Sequence, residues 1–284
     1  MWHACWVNLV WPVVLFDLDG TLANSIDLIV DSYDRAFMEV TGQGVARERA
    51  LAWIGQTLPQ TFSREDPANA KALEVAYRAY NNAHFDRIIA FPGVANMLRA
   101  LRDAHAITGV VTSKGRDAAD ASLAQLGLGG LIEVLCCRED TDAHKPDPQP
   151  LLAALAKVDA TPADAAYVGD AVWDIMAAKA AGMASIAVTW GAGLREELAA
   201  LSPDALVDTA EELSDVLMPE DPVFTYKVTK DQRVFISWHG RQVATLTGQR
   251  AARFMDDADG ADESSLQLLM ARNTGNFKRG NELH

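Results

Sequence analysis

The sequence predicts an α/β fold whose core is a doubly wound parallel sheet, and three patterns carry this prediction. A continuous apolar run at 13–16 predicts a strand buried on both faces, because helices cover parallel sheets on either side. From residue 93 onward, helical and strand patterns alternate, which is typical of βαβ units. Residues 23–90 show helical periodicity alone, and the chain after residue 222 predicts a separate small α+β module.

The first predicted strand ends in two carboxylates, Asp17 and Asp19, followed directly by Gly20. A carboxylate resists transfer out of water, so a buried strand that delivers two of them indicates a bound cation or a chemical role. In open α/β sheets, ligands lie just outside the carboxyl ends of the strands. The alternative is a plain turn, since Asp-Gly is also a common turn sequence.

The alternating patterns locate the other strands and helices of the sheet. The predicted strands are 107–111, 131–137, 165–168 and 184–188, and the predicted helices are 94–104, 116–126, 150–157 and 171–181. Within 23–90, apolar spacing predicts one helix starting near Ile26 and another over 68–87, with Pro59 and Pro67 interrupting the segment. We interpret most of the aromatic residues of these helices as the core of that segment.

Polar groups follow two further predicted strands and occupy one loop. Thr112 comes directly after one strand, Asp170 lies just after another, and Asp174 is four residues further on. Lys145 lies in a proline-rich loop before a predicted helix. Singly, these residues fit a helix cap, the acidic first turn of a helix and a solvated lysine. Together they favour a functional site at one edge of the sheet.

These motifs, in this order, resemble those of the haloacid dehalogenase-like superfamily, whose phosphatases use an aspartate nucleophile. The four motifs are Asp17-Leu18-Asp19-Gly20-Thr21, Thr112, Lys145, and Gly169-Asp170 with Asp174. The resemblance covers residues 13–218. It implies a Rossmann-like core formed by 13–22 and 91–218, with a helical cap inserted at 23–90.

Within the superfamily, the chain is most similar to the phosphoglycolate phosphatase branch and its pyrophosphatase relatives. This narrower similarity rests on residues 17–25, Trp53-Ile54-Gly55, Phe91-Pro92-Gly93 and His144-Lys145-Pro146-Asp147-Pro148. It implies hydrolysis of a small phosphorylated metabolite, with 2-phosphoglycolate as the leading substrate. The alternatives are a pyrophosphatase, a sugar-phosphate phosphatase or mutase on the same site, and a non-catalytic regulatory protein acting through its C-terminal module.

The resemblance also implies roles for the motif residues. Asp17 is expected to attack phosphorus, and Asp19 to protonate the leaving oxygen and then deprotonate the attacking water. Thr112 is expected to donate a hydrogen bond to a phosphoryl oxygen, and Lys145 to neutralise charge on Asp17 and the phosphoryl group. The expected substrate contacts are Gly20, Thr112, Ser113 and Lys145.

Mg²⁺ is the cofactor that the resemblance implies. Its expected ligands are Asp17, the backbone carbonyl of Asp19, and Asp170, because Mg²⁺ prefers a few hard oxygen ligands and keeps some waters. Asp174 is expected to support the metal through water. Asp170 and Asp174 are spaced four residues apart, which places both on the same face if the two lie on one helix.

Composition limits the partners and the compartment. The 284 residues carry a formal net charge of −14, which argues against nonspecific binding of nucleic acid. Three cysteines, Cys5, Cys136 and Cys137, predict buried free thiols and a cytoplasmic protein. No membrane partner is expected. We interpret residues 1–11 as a short extension, because a signal peptide would have a basic start and a small-residue cleavage site.

The chain after the proline-containing linker at 218–222 departs from the phosphatase pattern. Predicted strands lie at 223–229, 233–238 and 242–247, with a turn at His239-Gly240, and predicted helices lie at 249–256 and 263–273. Residues 222–284 hold nine Lys and Arg and seven Asp and Glu, unlike the acidic remainder. We expect this module to bind a protein partner or to self-associate. Its basic tail at 274–281 fits a flexible terminus better than a nucleic-acid contact.

Overall fold

A computed structural model of the chain describes residues 9–219, 224–238, 241–261 and 263–274. The described chain divides into two compact units, Trp11–Leu213 and a smaller one formed mostly after Ser214. The finer division of the first unit into core and cap stays a prediction, and so do the bounds of the C-terminal module.

The first unit is built on a six-stranded sheet in which all neighbouring strands are parallel. In chain order, the strands of this unit are Val13–Phe16 (β1), Ala23–Asn24 (β2), Ile89–Ala90 (β3), Ile107–Val111 (β4), Val134–Cys136 (β5), Ala165–Gly169 (β6), Ala184–Val188 (β7) and Ala205–Val207 (β8). The order in the large sheet is β5-β4-β1-β6-β7-β8, which confirms the doubly wound topology. The order reverses at β1, and ligands bind beside this point in such folds.

The central strand β1 is fully buried, as its apolar sequence predicts. Val13 pairs with Ile107 on one side and with Ala165 on the other, so β1, β4 and β6 end at the same level. Their carboxyl ends therefore place the residues that follow, Asp17 and Thr112 among them, at one edge of the sheet.

Helices cover the sheet and form an additional layer before β3. Up to residue 217 they are Ile26–Thr41 (α1), Arg47–Leu51 (α2), Leu58–Glu65 (α3), Ala70–Ala83 (α4), Val94–Asp103 (α5), Arg116–Gln125 (α6), Gln149–Ala156 (α7), Val172–Ala181 (α8), Arg195–Ala200 (α9) and Ala210–Leu217 (α10). On one face of the sheet, Leu15 and Tyr167 pack in one buried cluster with Leu151 of α7 and Ala178 of α8. Burying one leucine side chain of this kind contributes about 2 kcal/mol.

Helices α1–α4 share an aromatic core centred on Tyr33. Its ring centroid lies 5.1 Å from that of Trp53, 5.5 Å from that of Phe62 and 4.8 Å from that of Tyr77. Each aromatic pair adds about 1 kcal/mol beyond burial. The interpretation as core is therefore confirmed for Tyr33, Phe37 and Tyr77, whereas Tyr80 and Phe85 are only half-buried. The chain enters and leaves this segment side by side, because β2 and β3 pair antiparallel.

Several predicted boundaries differ from the structure. Pro59 does not simply interrupt the segment, because it lies in the first turn of α3, where proline is tolerated, and Thr57 caps that helix. The predicted helix 68–87 ends at Ala83. The predicted strand 131–137 begins only at Val134, because a 3-10 turn precedes it. Helices α2, α3, α9 and α10 and strand β8 were not predicted.

The smaller unit contains three antiparallel strands followed by two helices, as the sequence predicts. They are Phe224–Val228 (β9), Val234–Trp238 (β10), Arg241–Leu246 (β11), Gly248–Ala258 (α11) and Glu263–Thr274 (α12). A register shift between Ile236 and Ser237 interrupts the pairing of β10 with β11. The predicted turn at His239-Gly240, the tail after residue 274 and residues 1–8 lie outside the described residues.

Two further expectations can be compared with the fold. Cys136 and Cys137 are buried free thiols, as predicted, and burial raises the pKa of Cys137 to about 12. Cys5 lies outside the described residues. Among the helices that the structure describes, none is both long and apolar enough to span a membrane.

Candidate active site

Asp17 occupies the first position after β1, at the reversal of strand order. Its backbone N–H donates to the Val168 carbonyl at 2.9 Å, which extends the pairing of β1 with β6 beyond the strand. The side chain is buried, and its Oδ1 lies 2.9 Å from Lys145 Nζ. This contact is an ion pair without hydrogen-bond alignment, so Oδ1 is a buried oxygen with no hydrogen-bond donor.

Asp19 lies two residues further on and is partly exposed to the cavity above the sheet. Its Oδ1 accepts a hydrogen bond from Ser25 Oγ at 2.6 Å and another from Lys114 Nζ at 2.8 Å. These two donors restrict the carboxylate to one orientation. Asp17 and Asp19 both line the same cavity, so a substrate placed there can reach both carboxylates.

Thr112 follows β4 directly, and its backbone N–H donates to the Cys136 carbonyl at 2.9 Å. Its hydroxyl oxygen accepts a hydrogen bond from the Lys114 N–H at 3.2 Å, which leaves the hydroxyl proton for another acceptor. Thr112 lines the cavity together with Ser113. Ser113 Oγ donates to the Gly55 carbonyl at 2.6 Å, so its predicted contact with substrate stays a prediction.

Lys145 reaches the carboxyl end of β1 from the loop before α7. Its Nζ lies 2.9 Å from Asp17 Oδ1 and donates hydrogen bonds to Asp174 Oδ1 at 2.7 Å and to the Tyr167 hydroxyl at 3.0 Å. Burial disfavours the charged form of the amine, but Asp17 and Asp174 together hold the lysine pKa well above its usual value. The amine is therefore a fixed cation beside Asp17.

Tyr167 belongs to this group, although the sequence analysis did not identify it. Its hydroxyl accepts from Lys145 Nζ and donates to the Val111 carbonyl at 2.8 Å, so it links strands β4 and β6 to the lysine. The ring is fully buried in the core of the sheet. In the sequence, a tyrosine inside an apolar strand indicates only a buried position. The one hint of a role in the site was its hydroxyl, because a buried tyrosine hydroxyl requires a hydrogen-bond partner.

Asp170 and Asp174 come together differently from the sequence prediction. Helix α8 begins at Val172, so Asp170 precedes the helix and the two residues do not share a helical face. Asp170 Oδ1 accepts from Thr21 Oγ1 at 2.8 Å. Asp174 Oδ2 accepts from the Ala171 N–H at 3.0 Å, and its Oδ1 is bonded to Lys145. Asp174 therefore orients the lysine as well as the loop before α8.

A second feature that the sequence analysis left unassigned is the loop after β7. The Ala192 N–H donates to Asp170 Oδ2 at 2.7 Å, and the Gly193 N–H donates to the Asp170 carbonyl at 3.0 Å. Trp190 Nε1 donates to the Thr21 carbonyl at 3.0 Å. A side chain at Gly191 would overlap the Asp170 carboxylate. The Trp190-Gly191-Ala192-Gly193 sequence therefore holds Asp170 through two backbone N–H groups and also bonds to Thr21 of the first motif.

The electrostatics of the site favour a cation. Burial, partly offset by Lys145 and reinforced by Asp174, raises the pKa of Asp17 to about 7. Burial, together with the charges of Asp174 and Asp17, raises the pKa of Asp170 well above its usual value. Three buried carboxylates thus share one ammonium group, and their negative charge is undercompensated. A divalent ion would remove this imbalance.

The donor set fits a hard divalent ion such as Mg²⁺. One carboxylate oxygen from each of Asp17, Asp170 and Asp174 lies within 4.8 Å of the others. Oxygen ligands and few protein contacts are what Mg²⁺ prefers. Asp17 has an oxygen without a hydrogen-bond donor, whereas both oxygens of Asp170 and of Asp174 already accept hydrogen bonds. The donors to Asp170 are a hydroxyl and a backbone N–H, but one donor to Asp174 is the Lys145 ammonium, which already neutralises that carboxylate. The fit is therefore best for Asp17, and Asp170 fits better than direct ligation by Asp174.

Comparison with known proteins agrees with this geometry. The sequence model of the haloacid dehalogenase-like hydrolases matches residues 14–188. The chain is 34% identical over 205 residues to pyrophosphatase PpaX of Anoxybacillus flavithermus, covering 72% of this chain and 95% of that protein. Pyrophosphatase PpaX of Bacillus cereus matches with the same identity and coverage.

Solved structures show the same likeness. A protein described as a predicted phosphoglycolate phosphatase, from Haemophilus somnus 129pt, superposes with a TM-score of 0.66 at 26% identity, covering 73% of this chain and 96% of its own. A hydrolase from Pseudomonas syringae superposes with a TM-score of 0.66 at 28% identity, covering 72% and 97%. The chain therefore belongs to the haloacid dehalogenase-like hydrolase family.

Proposed function

We propose that this protein hydrolyses small phosphorylated compounds through an aspartyl-phosphate on Asp17, with Mg²⁺ bound beside it. The observation that carries the proposal is the surroundings of Asp17. Its buried Oδ1 lies 2.9 Å from a lysine ammonium and has no hydrogen-bond donor, and its side chain faces a cavity shared with Asp19 and Thr112. A carboxylate oxygen without a hydrogen-bond donor can attack phosphorus as a nucleophile once the charge of the phosphoryl group is neutralised nearby.

In the first step, an Asp17 oxygen bonds to phosphorus, and the bond between phosphorus and the leaving oxygen breaks. Asp19 acts as the general acid and gives a proton to that leaving oxygen. Ser25 and Lys114 hold Asp19 in one orientation, so the proton is delivered along a fixed direction. Lys145 balances the negative charge that gathers around Asp17.

In the second step, Asp19 takes a proton from water, and the water oxygen bonds to phosphorus. The bond between phosphorus and Asp17 breaks, which releases inorganic phosphate and restores the carboxylate. Mg²⁺, when bound, would be held by Asp17, Asp170 and the Asp19 carbonyl, and it would neutralise phosphoryl charge. Asp174 keeps Lys145 in position through the 2.7 Å hydrogen bond.

Two substrates come first for testing. The motifs of the chain favour 2-phosphoglycolate. The relatives named pyrophosphatase PpaX, 34% identical over nearly their whole length, support inorganic pyrophosphate. We rank pyrophosphate first on this similarity. Sugar phosphates, whose leaving group is a neutral sugar, are the third class, since they need only the same phosphoryl site.

The experiment is phosphate release with Mg²⁺ from pyrophosphate, 2-phosphoglycolate and a panel of sugar phosphates. EDTA and the Asp17→Asn variant serve as controls. The proposal predicts release that needs the metal and falls at least about a thousandfold in the variant. Near-parent turnover by Asp17→Asn, or turnover unaffected by EDTA, would contradict the mechanism.

A further inference from the structure

The cavity above Asp17 contains two arginines that the mechanism does not use. It is open to solvent, and its empty space, including solvent at the mouth, is about 730 Å³. Asp17, Asp19 and Thr112 line it, and so do Arg78 of helix α4 and Arg138 of the turn that follows β5. The cavity thus combines the phosphoryl site with two guanidinium groups supplied by segments far apart in sequence.

One carboxylate brings the two arginines together. Glu74 Oε1 accepts hydrogen bonds from Arg78 Nε at 3.1 Å and Nη2 at 2.6 Å, and Arg138 Nη1 lies 3.9 Å from the same oxygen. Glu74 is not among the residues that line the cavity. It therefore restrains both guanidinium groups from outside the space that a substrate would occupy.

The arginines differ from the other cations at the site in their partners. Lys145 is paired with Asp17, and Lys114 is paired with Asp19, so both amines serve the reacting carboxylates. Arg78 uses Nε and Nη2 on Glu74, and Arg138 uses Nη2 on the exposed Glu139. Among the described residues, no hydrogen bond uses Nη1 of either arginine.

We propose that Arg78 and Arg138 bind a negatively charged leaving group, so that the preferred substrates are phosphoryl compounds whose leaving group is itself an anion. This inference rests on the proposed function, because the phosphoryl group must occupy the site at Asp17. Arginine suits the task, since its planar fork matches phosphate and carboxylate oxygens. Local cations are also needed because the net charge of −14 repels anions at long range.

The competing explanation is that Arg78 and Arg138 only fasten helix α4 to the turn after β5 through Glu74. The two explanations differ for Glu74→Gln. If the arginines only fasten the two segments, Glu74→Gln and Arg78→Gln should weaken ligand binding to the same extent. An anion site predicts no loss of ligand binding for Glu74→Gln, because removing the competing carboxylate frees Nε and Nη2 of Arg78 and leaves Nη1 of Arg138 without its ion pair, while Arg138 keeps its bond to Glu139.

The test is isothermal titration in Mg²⁺ with imidodiphosphate, a non-hydrolysable analogue of pyrophosphate, and separately with inorganic phosphate. Arg78→Gln and Arg138→Gln are each expected to weaken imidodiphosphate binding about 10- to 100-fold, the range of one charged hydrogen bond. Inorganic phosphate, which fills the phosphoryl site alone, is expected to bind within about twofold of the parent.

The matched control is Arg99→Gln. Arg99 is an exposed arginine of helix α5 that donates to Asn96 on its own helix and does not line the cavity. It is expected to bind both ligands like the parent, and Glu74→Gln is expected to bind imidodiphosphate at least as tightly. Parent-like imidodiphosphate binding by the Arg78 variant would overturn the inference, as would an equal loss in Glu74→Gln.

Turnover separates this inference from the proposed function. Faster hydrolysis of phosphates of neutral sugars than of pyrophosphate and 2-phosphoglycolate would overturn the inference and leave the phosphatase mechanism intact. Failure to release phosphate from any compound would overturn the proposed function. In that case the imidodiphosphate titration still decides whether Arg78 and Arg138 hold an anion.

Discussion

Replacing Tyr167 by phenylalanine tests how the cation beside Asp17 is held in position. The change removes one oxygen atom and keeps the buried ring. Lys145 Nζ loses an acceptor at 3.0 Å, and the Val111 carbonyl loses a donor at 2.8 Å. The remaining restraints on the ammonium are its contacts with Asp17 and Asp174.

The expected loss follows from these two hydrogen bonds. A bond to a charged group contributes about 1.5–3 kcal/mol and a neutral one about 1 kcal/mol, so the free energy of unfolding should fall by about 2.5–4 kcal/mol. Catalysis should suffer as well, because a lysine free to shift no longer balances charge at Asp17. We expect kcat to fall about 10- to 100-fold, with a much smaller change in KM.

Urea denaturation measures the free energy of unfolding, and steady-state phosphate release measures kcat and KM. The matched control is Tyr80→Phe, a tyrosine of helix α4 that stacks on His84 outside the site. If Tyr167→Phe has the kcat of the parent and a stability equal to that of Tyr80→Phe, the positioning role assigned to Tyr167 is refuted.

Three further predictions concern the metal site and the cavity. Gly20→Ala should lower stability and Mg²⁺ affinity, because φ is +88° and a methyl group would overlap the Asp170 carboxylate. The control Gly42→Ala, at φ +77° in open space, should show only a backbone cost of about 1–2 kcal/mol. Equal melting temperatures of the two variants in Mg²⁺ would contradict this prediction. In EDTA, stability measured by thermal melting should fall as pH rises from about 4 to 7, because Asp17, with a pKa of about 7 when folded, keeps a proton that the unfolded chain releases near 3.8. Asp17→Asn should make stability depend less on pH over this range. A variant with the same pH dependence as the parent would contradict the prediction. Ser113→Ala removes the 2.6 Å hydrogen bond to the Gly55 carbonyl and should raise KM severalfold, whereas an unchanged KM would show that this bond does not shape the cavity.

The strands that carry the site could be predicted because each is a short apolar run between polar turns. Asp17, Thr112 and Asp170 were identified for the same reason, since each follows such a run. The strand at 131–137 was predicted too early, because Leu131 is apolar but belongs to a tight turn formed after Gly129. Apolar character alone does not separate a turn from a strand.

Other parts of the site depend on contacts that no local pattern contains. Tyr167 lies inside a strand and looks like core until its hydroxyl meets Lys145. Arg78 and Arg138 are distant in sequence and share a partner only after folding. The proximity of Asp170 to Asp174 was predicted from helical spacing, but the loop before α8 produces it.

The central claim is that Asp17 becomes phosphorylated during turnover, and rapid acid quenching tests it most directly. The protein is mixed with Mg²⁺ and radiolabelled pyrophosphate, quenched within milliseconds and digested, and mass spectrometry locates any phosphoryl group. We predict label on the peptide that contains Asp17, released by hydroxylamine as expected for an acyl phosphate, and none in Asp17→Asn. Rapid turnover with no labelled protein, or label on another residue, would contradict the account.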